Sequence, residues 1–213
     1  MYGFLMFDLD GTLVDSRKDI ALSVNLTLDE FNLPHRPPEV IYGFIGGGMH
    51  NLIRRSLPDG MESLVEEGVD VFWGIYREHV LDTTRLYPGI MDALELLSGG
   101  HRLAVVTNKP HAHTQLILKG LGIAGLFVTV HGWKMGLPVK PDPTLLRMAM
   151  EDAGAMEEDT LMIGDSTNDV LAAKAAGIKC CAVGYGYGTK EKNLAAGADI
   201  IAENVEDIVR LLG

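Results

Sequence analysis

Four aspartates, one lysine and one threonine, widely separated along the chain, are the residues whose types could do chemistry together. Asp8 and Asp10 stand two apart in the run Asp-Leu-Asp-Gly-Thr, directly after the apolar segment Phe4-Leu5-Met6-Phe7. That segment is long enough for one buried strand, so the acidic pair falls where the strand ends. Two carboxylates crowded there are costly unless a cation or a reaction needs them. Thr107 closes a second apolar run, Leu103 to Thr107, and Asn108-Lys109-Pro110 follow it. Lys140 precedes Pro141-Asp142-Pro143, and Asp165 and Asp169 lie in Gly-Asp-Ser-Thr-Asn-Asp at the end of a third run. In a parallel sheet such strand ends share one edge, where open α/β folds bind ligands.

Gathered at one edge, these groups amount to four carboxylates, one ammonium and one hydroxyl. Clustered carboxylates raise one another's pKa, and a hard divalent cation removes much of that penalty. Magnesium suits a few carboxylates plus water and phosphate oxygens. Lys140 supplies a point charge for a phosphate, and Thr107 a hydroxyl donor. The inventory suits phosphoryl transfer, in which positioning and charge neutralisation do most of the work.

The elements that must position these residues follow from pattern. Beyond about residue 88, short apolar runs alternate with segments of helical spacing. Strands are expected at Leu103–Thr107, Phe127–Val130, Leu161–Asp165, Cys180–Val183 and, more weakly, Ala198–Ile201. Helices are expected at Thr144–Ala153 and at Asn168–Ala176, the latter closed by Gly177. This alternation implies a parallel sheet covered on both faces. Residues 16–85 break the rhythm. Ile20, Val24, Leu28 and Phe31 mark one helix face, Val69–Leu81 also reads as helical, and no strand is evident. The expected organisation is a core of residues 1–15 and 86–213 carrying a helical insertion of residues 16–85.

The ordered set resembles a known family. Asp8-Leu9-Asp10-Gly11-Thr12, continued by Leu13-Val14-Asp15-Ser16, matches the first motif of the haloacid dehalogenase-like hydrolases. Thr107 matches the second motif, Lys140 the third, and Asp165 with Asp169 the fourth. The resemblance spans essentially the whole chain and implies an α/β fold, a parallel-sheet Rossmann-like core with an inserted α-helical cap. It implies a phosphatase. Asp8 is then the nucleophile, forming an aspartyl-phosphate, and Asp10 the general acid–base. Magnesium would be held by Asp8, the Asp10 carbonyl and Asp165, with Asp169 in support. Lys140 and Thr107 would hold the phosphate, and backbone N–H groups near Leu9 and Asn108 would cradle its remaining oxygens. Ile45-Gly46-Gly47 and Val106-Thr107-Asn108-Lys109-Pro110 look most like phosphoglycolate phosphatases, so a small phosphate monoester, 2-phosphoglycolate, is the expected substrate.

Other readings stay open at this point. A broad sugar-phosphate or nucleotide phosphatase and a β-phosphoglucomutase-like phosphomutase use the same core residues. A phospho-aspartate signalling receiver combines similar groups, but its nucleophile would not follow the first strand and it would need no cap. Asp10 argues against halide expulsion, which needs no acid. The insertion holds only Lys18, which argues against Schiff-base chemistry.

Some conspicuous residues have plainer readings. Asp15 is expected to cap the helix after it rather than bind metal. Gly46-Gly47-Gly48 ahead of Arg54 and Arg55 is either an anion-binding helix start or a flexible turn with solvated arginines. Gly47 and Arg54 are the cap's candidate substrate contacts. His111 and His113 are read as surface or capping residues, and Phe72, Trp73 and Tyr76 as cap core. Trp133 and Met135 could line an entrance. Gly184-Tyr185-Gly186-Tyr187-Gly188 lacks the order of a dinucleotide fingerprint and reads as a loop.

Composition sets the outer bounds. A formal net charge of −11 leaves no basic stripe for nucleic acid. No apolar stretch reaches 18 residues, so no membrane span is expected. No basic region precedes an apolar one at the N-terminus, so no signal peptide is expected. The two adjacent cysteines, Cys180 and Cys181, suit free thiols in a reducing cytoplasm. A monomer or homodimer acting on a small molecule is the expected form.

Overall fold

The computed structural model describes residues 2–212. From the N-terminus, β1 (Phe4–Phe7) leads through a tight loop to β2 (Val14–Asp15). Four helices follow: α1 (Arg17–Glu30), α2 (Pro38–Tyr42), α3 (Met49–Ser56) and α4 (Val65–His79). The chain returns through β3 (Arg85–Leu86) to α5 (Ile90–Ser98), β4 (Arg102–Pro110) and α6 (His111–Gly120). It then alternates through β5 (Thr129–Trp133), α7 (Thr144–Ala153), β6 (Thr160–Gly164) and α8 (Thr167–Ala176). It ends with β7 (Lys179–Val183), α9 (Lys190–Ala196), β8 (Ile200–Ala202) and α10 (Val205–Leu212).

Six strands form one parallel sheet in the order β5-β4-β1-β6-β7-β8. β1 is apolar at every position because it lies between β4 and β6 and is covered on both faces. Period-2 alternation sorts the strand side chains into two cores. Leu5, Phe7, Leu103, Val105, Leu161 and Ile163 face the layer containing α5, α6 and α10. Phe4, Met6, Ala104, Val106, Met162 and Cys180 face α7 and α8. Ala172, Ala173 and Ala176 keep the buried face of α8 small, so the helix packs closely on the sheet. Both cysteines are free and buried in β7.

Several expected boundaries shift for local reasons. β5 starts at Thr129, not Phe127, because Phe127 packs into the core ahead of the strand while Val128 is exposed. Its polar residues are tolerated at a sheet edge. β4 continues past Thr107 to Pro110 through a register shift between those residues. β6 ends at Gly164, so Asp165 is the first residue beyond it. α4 runs from Val65 to His79 rather than from Val69 to Leu81. β2 and β3 pair antiparallel at the two ends of the helical segment, Val14 with Leu86 and Asp15 with Arg85. Two-residue strands carry no readable periodicity. Among the described residues, no helix is long and apolar enough to cross a membrane.

In the helical segment, α1 packs on α4 and α2, and α3 packs on α4. Ile20, Val24, Leu28, Leu52, Ile53, Val69, Phe72 and Tyr76 bury the shared face. Phe31 falls just after α1 and is only half-buried.

Asp19, in the first turn of α1, is a buried carboxylate that fastens this segment's two ends. It accepts hydrogen bonds from the backbone N–H groups of Thr83 and Thr84 at 2.8–3.0 Å and from both threonine hydroxyls at 2.5 and 2.7 Å. The helix N-terminus adds a favourable dipole. Asp15 lies in β2, where it accepts from the Arg17 backbone N–H and guanidinium and from the Tyr187 hydroxyl. It fastens the linker beside Ser16, which holds the N-cap position. Asp19→Ala removes an acceptor of buried donors and is expected to cost about 2–4 kcal/mol, read as a lower urea midpoint. An unchanged midpoint would show that the two linkers do not depend on this carboxylate.

Candidate active site

The loop after β1 is shaped by its own sequence. Leu9 and Leu13 are fully buried and pin its base, with the N–H groups of Leu13 and Val14 both donating to the Leu9 carbonyl. Gly11 adopts φ +84°, and a Cβ there would collide with the Asp165 carboxylate. The Asp8 N–H still donates to the Ile163 carbonyl at 2.9 Å, so the carboxylate emerges at the last ladder position of the central strand.

Lys140 joins the separated motifs. Its ammonium lies 3.1 Å from Asp8 Oδ1, 2.6 Å from Asp169 Oδ1 and 2.8 Å from the Val106 carbonyl. Those three acceptors match its three N–H groups. Asn108 holds the lysine in place. Its Oδ1 accepts from the Lys140 N–H at 2.6 Å, and its Nδ2 donates to the Lys140 carbonyl at 2.9 Å. The Asp169 second oxygen accepts from the Ser166 N–H and hydroxyl, completing the capping box of α8. Thr107 ends in the same place, with its Oγ1 accepting from the Lys109 N–H at 3.2 Å.

Asp8, Asp165 and Asp169 each offer a carboxylate oxygen within 4.8 Å of the others. Burial pushes Asp8 up to about 6. Lys140 opposes the rise and Asp169 adds to it. Burial, with Asp169 and Asp8 nearby, pushes Asp165 up to about 7, against the N–H groups of Tyr187 and Gly188. Burial works against the Lys140 charge, but Asp169 and Asp8 outweigh it and hold its pKa above the ordinary value. One ammonium among three buried carboxylates leaves negative charge uncompensated. An all-oxygen donor set with excess charge fits a hard divalent cation.

Asp10 stands apart from that cluster. Both its oxygens accept from the Lys109 ammonium, at 3.0 and 2.8 Å, and Oδ1 accepts from the Ser16 hydroxyl at 2.5 Å. Lys109 is itself buried, and its Nζ lies 4.7 Å from the Tyr76 ring centroid. Sequence reading attached no role to Lys109. A lysine after a strand end looks solvated until the register shift of β4 is known.

The glycine-tyrosine run is a loop as expected, but its contacts with the site were not read from the sequence. The Tyr187 and Gly188 N–H groups donate to Asp165 Oδ2 at 2.6 and 3.1 Å. The Tyr187 hydroxyl meets the Ser16 N–H, and the Tyr185 hydroxyl donates to the Thr12 carbonyl. A side chain at Gly186 or Gly188 would strike Asp165 or its neighbours, which is why glycines recur there. A Gly-x-Gly-x-Gly run directly after a strand was the available signal of close backbone approach.

A cavity of about 60 Å³ opens between the sheet edge and the helical segment. Asp8, Asp10, Thr107, Asn108 and Lys109 line one side; Ile45, Gly46, Met49, Leu52, Phe72 and Tyr76 line the other. The Gly46 carbonyl accepts from the side-chain amides of Asn108 and Asn168 and ties the two sides together. Leu9 lies at the site, its N–H donating to Asp8 Oδ1 at 2.8 Å. Gly47 sits in the turn before α3, between two cavity-lining glycines. Arg54 is not brought to the cavity. It lies two residues beyond Leu52, on the opposite side of α3, exposed and donating to Asn51. His113 is buried between Trp73 and Tyr76, and burial, reinforced by Lys109, lowers it to about 4. Met135 is exposed, and Trp133 donates to the Leu137 carbonyl.

Comparison with known proteins agrees with this geometry. A family model described as haloacid dehalogenase-like hydrolase matches residues 5–183. A phosphoglycolate phosphatase from Mannheimia succiniciproducens is 40% identical over 217 residues, covering 97% of this chain and 96% of that protein. One from Haemophilus influenzae is 41% identical over 191 residues, 85% of this chain and 84% of its own. A haloacid dehalogenase-like hydrolase from Streptococcus pneumoniae superposes with a TM-score of 0.90 at 27% identity, covering 100% and 99% of the two chains. A predicted phosphoglycolate phosphatase from Haemophilus somnus superposes with a TM-score of 0.89 at 32% identity, covering 100% and 98%. With the motifs assembled on the shared fold and relatives aligned over nearly its full length, the chain belongs to the haloacid dehalogenase-like hydrolases.

Proposed function

We propose that this chain is a magnesium-dependent phosphatase that hydrolyses a small phosphate monoester, 2-phosphoglycolate, through an aspartyl-phosphate on Asp8. The observation that carries the reading is Asp8 itself. It is a buried carboxylate at the end of the central strand, with an ammonium at 3.1 Å and two further carboxylates within reach of a shared cation. Phosphoglycolate phosphatases among its relatives support the substrate.

In the proposed reaction an Asp8 oxygen bonds to phosphorus in line as the ester oxygen departs. Asp10 delivers a proton to that departing oxygen, so an alcohol leaves rather than an alkoxide. Asp10 then takes a proton from the water that attacks phosphorus and releases Asp8 and inorganic phosphate. Lys140 fixes Asp8 and balances charge on the phosphoryl oxygens, and Thr107 donates a hydrogen bond to them. Magnesium would be held by Asp8, the Asp10 carbonyl and Asp165, with Asp169 behind them, and when bound it neutralises charge at the phosphoryl group. Free buried thiols suit a cytoplasmic enzyme.

Asp8→Asn keeps the shape but removes the nucleophile, so 2-phosphoglycolate turnover is expected to fall by on the order of 10⁴ or more with the melting temperature nearly unchanged. Turnover within tenfold of the parent would refute the covalent route.

The metal prediction follows from the two raised carboxylates. Both groups ionise at the usual 3.8 in the unfolded chain, against about 6 for Asp8 and about 7 for Asp165 in the metal-free fold. Their contribution to metal-free stability is therefore complete below pH 3.8 and is lost as pH rises through 6 to 7. Magnesium competes with those protons, so the rise in melting temperature that it produces should be larger at pH 8 than at pH 5.5. EDTA should abolish turnover, and magnesium should restore it. A magnesium effect that is absent, or larger at pH 5.5, would contradict the proposed ligands.

A further inference from the structure

Two buried lysines stand at this site, and they differ in what they have left to give. All three N–H groups of Lys140 are matched by Asp8, Asp169 and the Val106 carbonyl. Lys109 lies over the Tyr76 ring and donates hydrogen bonds only to Asp10, whose two oxygens take at most two of its three N–H groups. Among the described residues lining the cavity, Lys109 is the one cation. The rest of the opposite wall, from Ile45 through Met49 and Leu52 to Phe72, offers only apolar side chains.

Substrate geometry connects these facts. To protonate the leaving oxygen, Asp10 must lie within hydrogen-bond reach of it. In 2-phosphoglycolate the carboxylate sits on the carbon that carries that oxygen, so its own oxygens are three bonds away. A group bonded to Asp10 therefore stands beside the place where this carboxylate arrives. Resting on the phosphatase reading above, we infer that the Lys109 ammonium receives the substrate's second anion, a carboxylate on the carbon bearing the ester oxygen. An ester with a neutral tail meets only the apolar wall and offers Lys109 no second anion. A charge-assisted hydrogen bond in so enclosed a place is expected to favour the carboxylate ester by roughly tenfold to a hundredfold.

The test compares 2-phosphoglycolate with ethyl phosphate, which has the same two carbons and no carboxylate. With the parent enzyme, kcat/KM should favour 2-phosphoglycolate by at least tenfold. In Lys109→Met, the loss with 2-phosphoglycolate should exceed the loss with ethyl phosphate by at least tenfold and fall mainly on KM, and Lys109→Arg should recover part of it. Equal losses for both esters would overturn the inference and leave Lys109 as a support for Asp10 alone. A second measurement needs no variant. 3-Phosphonopropionate, a non-hydrolysable isostere of 2-phosphoglycolate, should inhibit the parent enzyme at least tenfold more tightly than propylphosphonate, and equal inhibition would overturn the inference. Turnover of ethyl phosphate without preference for 2-phosphoglycolate removes the proposed substrate and the inference together. Turnover of neither ester removes the 2-phosphoglycolate reading on which the inference rests.

Discussion

The site depends on a charge balance at the end of the central strand. Lys140 is buried between Asp8 and Asp169, and neither carboxylate could be buried there ionised without it. The lysine is placed in turn by Asn108, which grips both polar groups of its backbone from the neighbouring strand end. Three distant segments of the chain, after β1, in β4 and at the start of α8, are therefore held by one ammonium. Because that ammonium cannot satisfy Asp165 as well, the cluster retains an appetite for a further cation. The same imbalance that raises Asp8 and Asp165 in the metal-free protein is what a metal would relieve.

The sheet and the helical segment divide the work. The parallel strands deliver Asp8, Thr107 and Asp165 to one edge because β1, β4 and β6 are neighbours in the order of the sheet. The helices supply an apolar wall opposite, held to that edge by the Gly46 carbonyl and to the linkers by Asp19. An enclosed cavity strengthens charge interactions within it, which matters most for a reaction that moves negative charge between oxygens. The second ion pair, Lys109 with Asp10, sits between these regions. It lies where the departing part of an ester would rest.

Much of this arrangement was legible in the sequence, and the reasons are physical. A four-residue apolar run ending in two carboxylates has few stable interpretations, and β1 forms as its pattern requires. α7 begins and ends as expected because prolines precede it and Gly154, in the left-handed conformation, closes it. The order of the motifs implied their convergence because parallel strands share an edge. What escaped notice depends on tertiary register. The β2–β3 ribbon is too short to show alternation. Lys109 acquires its place only through the irregularity of β4 between Thr107 and Pro110. The backbone donors to Asp165 come from a loop whose glycines signalled close approach but not to what. Arg54 is the converse case. Its charge suggested a substrate contact, but the phase of α3 puts it on the outer side.

The central claim is that the phosphoryl group passes through Asp8, and rapid acid quenching during turnover of radiolabelled substrate tests it most directly. The account predicts label that is stable to acid, released by hydroxylamine, and confined on peptide mapping to the segment containing Asp8. Label on another residue, or no protein-bound label at any time during turnover, would contradict it.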